Sequence, residues 1–128
     1  RTSARSALKE GMGAMEIERA ALAAFLAFAR EHKEIYRIID EAEFVDPESY
    51  RNHYETIAGR ISARIEAGAA AGELREGLGE IEAWAIMGMN VFVGLRYVVW
   101  GSEGGSPGDP EEVAAAVNRL LAEGIGRH

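Results

Sequence analysis

Residues 80–100 read EIEAWAIMGMNVFVGLRYVVW, and this stretch is apolar nearly all the way round. At ~100° per residue, Ile81, Trp84, Met87, Gly88, Val91, Leu95 and Val98 share one face of a helix. Ile86, Met89, Val93, Tyr97 and Trp100 fall on the opposite face. Only Glu82, Asn90 and Arg96 interrupt the pattern, so no polar stripe is left for solvent. A helix of this kind is expected to be covered on two sides. One side can be the domain's own core; the other calls for a partner subunit or a ligand.

Working outward, the flanking segments also read as helices. Asp109-Pro110-Glu111 downstream is a helix-start signal: Asp caps, Pro suits the first turn, and Glu favours the positive end of the dipole. The helix it opens spans about Glu111 to Gly124, with Val113, Val117, Leu120, Leu121 and Gly124 on one face. Upstream, Asp46-Pro47-Glu48 repeats the signal and opens a helix to about Ala71. Its apolar stripe Tyr50, Tyr54, Ile57, Ile61, Ile65 and Gly68 keeps close to a 3.6-residue period. Lys33 to Phe44 is a shorter helix with Ile35, Ile38, Ile39 and Ala42 on one face. Met15 to Glu31 is the first clear helix, with Ile17, Ala21, Leu22, Ala24, Phe25, Phe28 and Ala29 as its apolar face and Ala23 facing away. Glu18 falls inside that face. Arg1 to Lys9 is mildly helical, Gly11 and Gly13 break the pattern, and residues 72–79 and 101–109 are glycine-punctuated connections.

No strand signal occurs, and with only three prolines the chain is expected to be all-α, a bundle of about five helices. Its 128 residues suit one domain with a substantial core. A composition 48% hydrophobic and 27% charged is wrong for disorder. The net charge of −7 makes these residues a poor nucleic-acid binder by themselves. With no cysteine there is no disulfide or thiolate chemistry, which fits a cytoplasmic setting. The longest uncharged apolar run, Ala83 to Leu95, falls short of the ~20 residues that span a bilayer.

Catalytic and metal signatures are not found. His32, His53 and His128 lack a metal-ligand spacing, and no serine sits in a nucleophile motif. The residues 101–108, GSEGGSPG, lack the Lys-Ser/Thr ending of a phosphate cradle. No enzymatic activity, cofactor or metal is expected, the alternative being a small helical enzyme with convergent titratable groups in a cleft.

Three stretches carry a family resemblance. They are AFLAFAREHKEIYRIIDEAEFVDPESY at 24–50, AGAAAGELREGLGEIEAWAIMGMNVFVGLRYVVW at 67–100 and DPEEVAAAVNRLLAEGI at 109–125. In this succession the chain resembles the C-terminal ligand-binding and dimerisation domain of tetracycline-repressor-like (TetR/AcrR) transcriptional regulators. The resemblance spans about residues 15 to 126, and no single motif in it is diagnostic. It implies that residues 1–14 are the end of a connecting helix and a linker, and that 15–128 form the domain. The family's helix-turn-helix DNA-binding domain precedes this region, and nothing in Arg1 to Gly13 could supply it. DNA would be contacted only through that missing part. The resemblance also implies a homodimer in which the last two helices of each subunit form a four-helix bundle, and a pocket for a small lipophilic ligand. The Glu43–Asp46 stretch looks most like regulators thought to sense acyl-CoA or related metabolites.

Candidate sites follow. Gly88, Gly94, Tyr97, Val113, Val117, Leu120, Leu121 and Gly124 are expected at the dimer interface, where small residues let helix axes approach to ~8 Å. The alternative is a purely intramolecular core. Phe25, Phe28, Tyr54, Ile57, Ile61, Trp84, Met87 and Phe92 are the pocket candidates, beside a plain-packing alternative. Glu18 and Asn90 are polar groups on apolar faces that could orient a ligand. Glu18 could equally sit near the surface in a first helical turn, and Asn90 could bond across a dimer axis. His53, Arg60 and Arg64 form one strip that, with Arg96, could gather as a basic pocket mouth for a carboxylate or phosphate. The alternative is a solvated flank paired with surface acids.

Overall fold

A computed structural model describes residues 13–101, 104 and 108–127. The helical reading of Arg1 to Lys9, most of the 101–109 connection and His128 lie outside the described residues. The chain is all-helical: α1 is Ala14–Glu31, α2 Glu34–Val45, α3 Pro47–Ala70, α4 Glu80–Gly94 and α5 Pro110–Glu123. A π-helical turn, Leu95–Val99, extends α4.

The starts agree with the sequence signals because those signals are local. Asp46 accepts a hydrogen bond from the Ser49 N–H at 3.2 Å, and the Ser49 hydroxyl donates to its other oxygen at 2.7 Å. These bonds hold the Asp46 carboxyl below its usual range. Asp109 accepts from the Glu112 N–H at 3.2 Å in the same way. At α4 the Glu82 carboxylate accepts from the Gly79 N–H at 2.8 Å, satisfying one of the orphan donors of a helix start. Gly72 ends α3 at φ +77°, a conformation glycine adopts without strain, and the Glu73 N–H closes back on the Gly68 carbonyl at 2.9 Å.

Two apolar clusters make the interior. The first joins α1, the end of α4 and α5 through Leu22, Ala23, Leu26, Ala29, Val98, Ala114 and Val117. Leu26 and Ala114 are completely buried. Ala23, expected to face away, is buried here: α1 is covered on more than one side, and small residues on α1 and α5 let the two helices pack closely. The second cluster joins α3 and α4 through Ala58, Ile61, Ile65, Ala83 and Met87, with Leu74 and Leu78 of the connection laid against it. The α3 stripe behaves as its period demands. Ile61, Ile65 and Gly68 are buried and Tyr50, Tyr54 and Ile57 half-buried.

Short α2 has no fully buried residue, and Ile38, Phe44 and Val45 stand exposed. Its anchor is Tyr36, whose hydroxyl donates to the Val91 carbonyl at 3.1 Å. Burial raises the Tyr36 pKa, so the phenol stays protonated as a donor. The Leu95 N–H also points at the Val91 carbonyl, and the π register begins there. A side chain bonded into the carbonyl ladder is a recognised cause of such an irregularity.

On α4, the buried positions are Ala83, Met87, Gly94 and Val98. The outer face carries Ile81, 81% exposed, and Phe92, 67% exposed, with Trp84 on its flank. A Cβ added at Gly88 on this face would meet nothing within 4 Å. The subunit therefore covers one side of α4 and leaves the other open. Among the described residues, no helix is long and apolar enough to cross a membrane.

Candidate functional site

The strongest polar feature of the interior is an ion pair between the first and third helices. Glu18 of α1 is buried, 8% exposed, and Arg64 of α3 reaches it with both faces of its guanidinium fork. Arg64 Nε donates to one carboxylate oxygen at 2.5 Å and Nη2 to the other at 3.2 Å. Two bonds in this fork geometry satisfy the carboxylate and fix its orientation. Glu18 is thus not a surface first-turn carboxylate; it is buried and bonded to Arg64. Arg64 is turned inward and does not join a basic mouth.

Beside this pair, between α1, α4 and α5, lies a cavity of about 10 Å³ lined by Glu18, Asn90 and Asn118 among others. That is room for about one water molecule. The Asn118 Oδ1 atom is buried there with no hydrogen-bond partner. Asn90 lies within the subunit at this junction, which places it away from the outer face of α4.

The expected pocket residues do not converge. Ile61 and Met87 are buried in the α3–α4 cluster, and Ile57 packs beside them. Phe25 belongs to the other cluster, its ring 6.3 Å from that of Tyr36. Phe28 is 40% exposed, its ring 4.5 Å from His32, and Phe92 points outward. Of the aromatic and branched candidates, Tyr54 and Trp84 do meet at a concave surface. They line an open depression of about 300 Å³ between α3 and α4, together with Tyr50, Arg51 and Glu55. Tyr50 and Tyr54 meet edge to face, centroids 5.2 Å apart, and His53 meets Tyr54 likewise at 5.0 Å. Burial, and then the Arg60 charge, hold the His53 pKa below its usual value, which favours the neutral ring. Tyr50, Arg51 and Glu55 were not foreseen as site residues. The i, i+4 placement of two tyrosines was the available signal.

The basic strip is likewise dispersed. Arg60 is exposed on α3, and Arg96 lies at the far end of α4 with its guanidinium 4.7 Å from the Tyr97 ring centroid.

Of the expected dimer residues, Gly94 and Val117 are buried inside the subunit and cannot meet a partner. A Cβ at Gly94 would overlap the Tyr36 hydroxyl and press on Phe25. Val113 and Leu121 pack against the same internal cluster. Tyr97 packs on Gly108 and is 37% exposed. Gly88, Leu120 and Gly124 lie on or near the outside, Leu120 being 41% exposed. The surface open to a partner is thus Ile81, Gly88 and Phe92 of α4, with Leu120 of α5 also exposed. Periodicity alone could not separate this face from the buried one, because both are apolar. In comparisons with known proteins, no family model and no curated protein matches the chain.

Proposed function

We propose that the chain is the effector-binding and dimerisation domain of a TetR-like transcriptional regulator. The observation that carries this reading is the uncovered apolar face of α4, where Ile81 and Phe92 are mostly exposed around Gly88. In water this face is costly unless a second apolar surface covers it. The isologous face of a second copy, brought together about a two-fold axis, is a self-complementary cover. The order of the helices adds to this, matching the succession the resemblance implies. Effector binding acts by linkage: a small lipophilic ligand that favours one arrangement of α3 and α4 shifts the population toward it.

The test is sedimentation of the wild type and of Phe92→Glu. The wild type is expected as a dimer and the variant as a helical monomer, because the glutamate would be desolvated in the contact. Two monomers, or two dimers, would overturn the interface. Thermal-shift screening against acyl-CoAs, fatty acids and aromatic metabolites tests the sensing half. The 10 Å³ interior cavity favours a second reading, a helical dimerisation module without a ligand. A dimer that no compound stabilises would establish that reading instead.

A further inference from the structure

The depression between α3 and α4 differs in chemistry from the anion site that a basic strip would have made. Its walls are aromatic: Tyr50 and Tyr54 one turn apart on α3, and Trp84 across from them on α4. Its fringe is acidic. Glu55 lines it, and the carboxylates of Asp40 and Glu43 on neighbouring α2 are close enough for their charge to act on both tyrosine hydroxyls. Arg51 is the base in the lining, and His53 on the Tyr54 ring is held toward its neutral form. Arg60, whose charge acts on His53, is a second base within reach, so three carboxylates stand against two guanidiniums and the surroundings keep a net negative charge. Aromatic faces carry negative quadrupole potential, so walls and rim act in the same sense. The volume of about 300 Å³ sits at the small end of ligand sites.

We propose that the Tyr50–Tyr54–Trp84 depression binds a small organic cation with an apolar body, such as an aromatic quaternary ammonium. The cationic centre sits against the rings within reach of Glu55, and the apolar body lies along the α3–α4 seam. This deepens the sensing reading and rests on it for its biological meaning, because it names the class of molecule sensed. An acyl-CoA, with its several phosphates, is the wrong charge for this rim.

The test is fluorescence titration with benzyltrimethylammonium, in a Trp100→Phe background so that Trp84 reports alone. Benzyl alcohol, benzoate and lauroyl-CoA are the neutral, anionic and acyl-CoA comparators. Saturable quenching by the ammonium, with weaker binding of benzyl alcohol and benzoate, is expected. Tyr54→Leu should weaken the ammonium by about twofold to fivefold, the loss of one partly exposed cation–aromatic contact. Glu55 is exposed, so Glu55→Lys leaves the fold intact and should abolish the preference for the cation over benzoate. Benzoate binding as tightly as the ammonium, or ammonium binding unchanged in Glu55→Lys, would overturn the proposal. Lauroyl-CoA binding without any response to the ammonium overturns it while leaving the sensing reading in place. No response to any probe overturns it, and the thermal-shift screen then decides the sensing reading by itself.

Discussion

Glu18 shows how much a single residue can withhold from a linear reading. Its angle on α1 marked it as a misfit on an apolar face, and the structure buries it. The partner that makes this tolerable, Arg64, is 46 residues away on another helix. No local pattern joins the two, so the anomaly was legible and its resolution was not. Breaking the pair strands a charge that is wholly or mostly desolvated. Glu18→Gln or Arg64→Met is therefore expected to cost about 2–3 kcal/mol, moderated because the Arg64 side chain keeps 30% of its exposure. In urea unfolding, the Glu18→Gln/Arg64→Met double variant should cost less than the sum of the two singles; strict additivity would show that the pair is not coupled. His53 gives a second measurement at this scale. Its folded pKa is lowered from an unfolded value near 6.5, so the neutral ring is the one the fold prefers. Its contribution is complete above pH ~6.5 and is lost as pH falls through the folded value, because the unfolded chain binds the proton first. The slope of melting temperature against pH just below 6.5 should flatten in His53→Asn; an unaltered slope would assign that pH dependence to other groups.

At the scale of the element, the five helices were readable, and their boundaries to within about a residue except at the end of α4, where the π turn after Gly94 replaces the helix expected to run to Trp100. Caps, Pro at the first turn and glycine at the end act within one turn of the chain, so tertiary structure has little to override. The choice of faces on α4 was not readable, because side chains of equal apolarity surround it and only neighbouring helices decide between them. Gly88 and Gly94 illustrate this. Both are small residues in one apolar helix, yet Gly94 makes room for Tyr36 and Phe25 while Gly88 opens outward. Gly94→Leu is accordingly expected to destabilise the subunit itself, by about 3 kcal/mol through overpacking. Gly88→Leu should leave monomer stability equal or better, since leucine favours a helix over glycine. It should act on association alone. Thermal melts set beside sedimentation separate the two effects; equal destabilisation by both would mean that the outer face is not open. The π turn after Gly94 had no sequence signal either, since Tyr36 bonds to the Val91 carbonyl from 55 residues away.

At the scale of the molecule, two separately packed clusters share α4, and the outer side of that helix is the surface the subunit does not use. The sequence announced two-sided burial, and the fold satisfies half of it. If a second copy supplies the other half, folding and association are linked. The melting temperature of the wild type then rises with protein concentration, and that of Phe92→Glu does not. A concentration-independent wild type would contradict this. The expected enclosed pocket was not legible, because aromatic and branched residues line cores and cavities alike. The contact between the start of α1 and the end of α3 bears on how such a domain could signal. Ala14, the first residue of α1, rests where α3 carries Gly68: a Cβ there would lie 2.8 Å from the Ala14 Cβ, and the Ala14 N–H donates to Glu73 at 3.3 Å. With its 24 residues α3 is a rod ~36 Å long, with the tyrosine-lined depression at one end and this clasp at the other. Were a ligand to enter the depression, a tilt or slide imposed at the tyrosine end would reach Ala14 through this rod, and with it the start of α1.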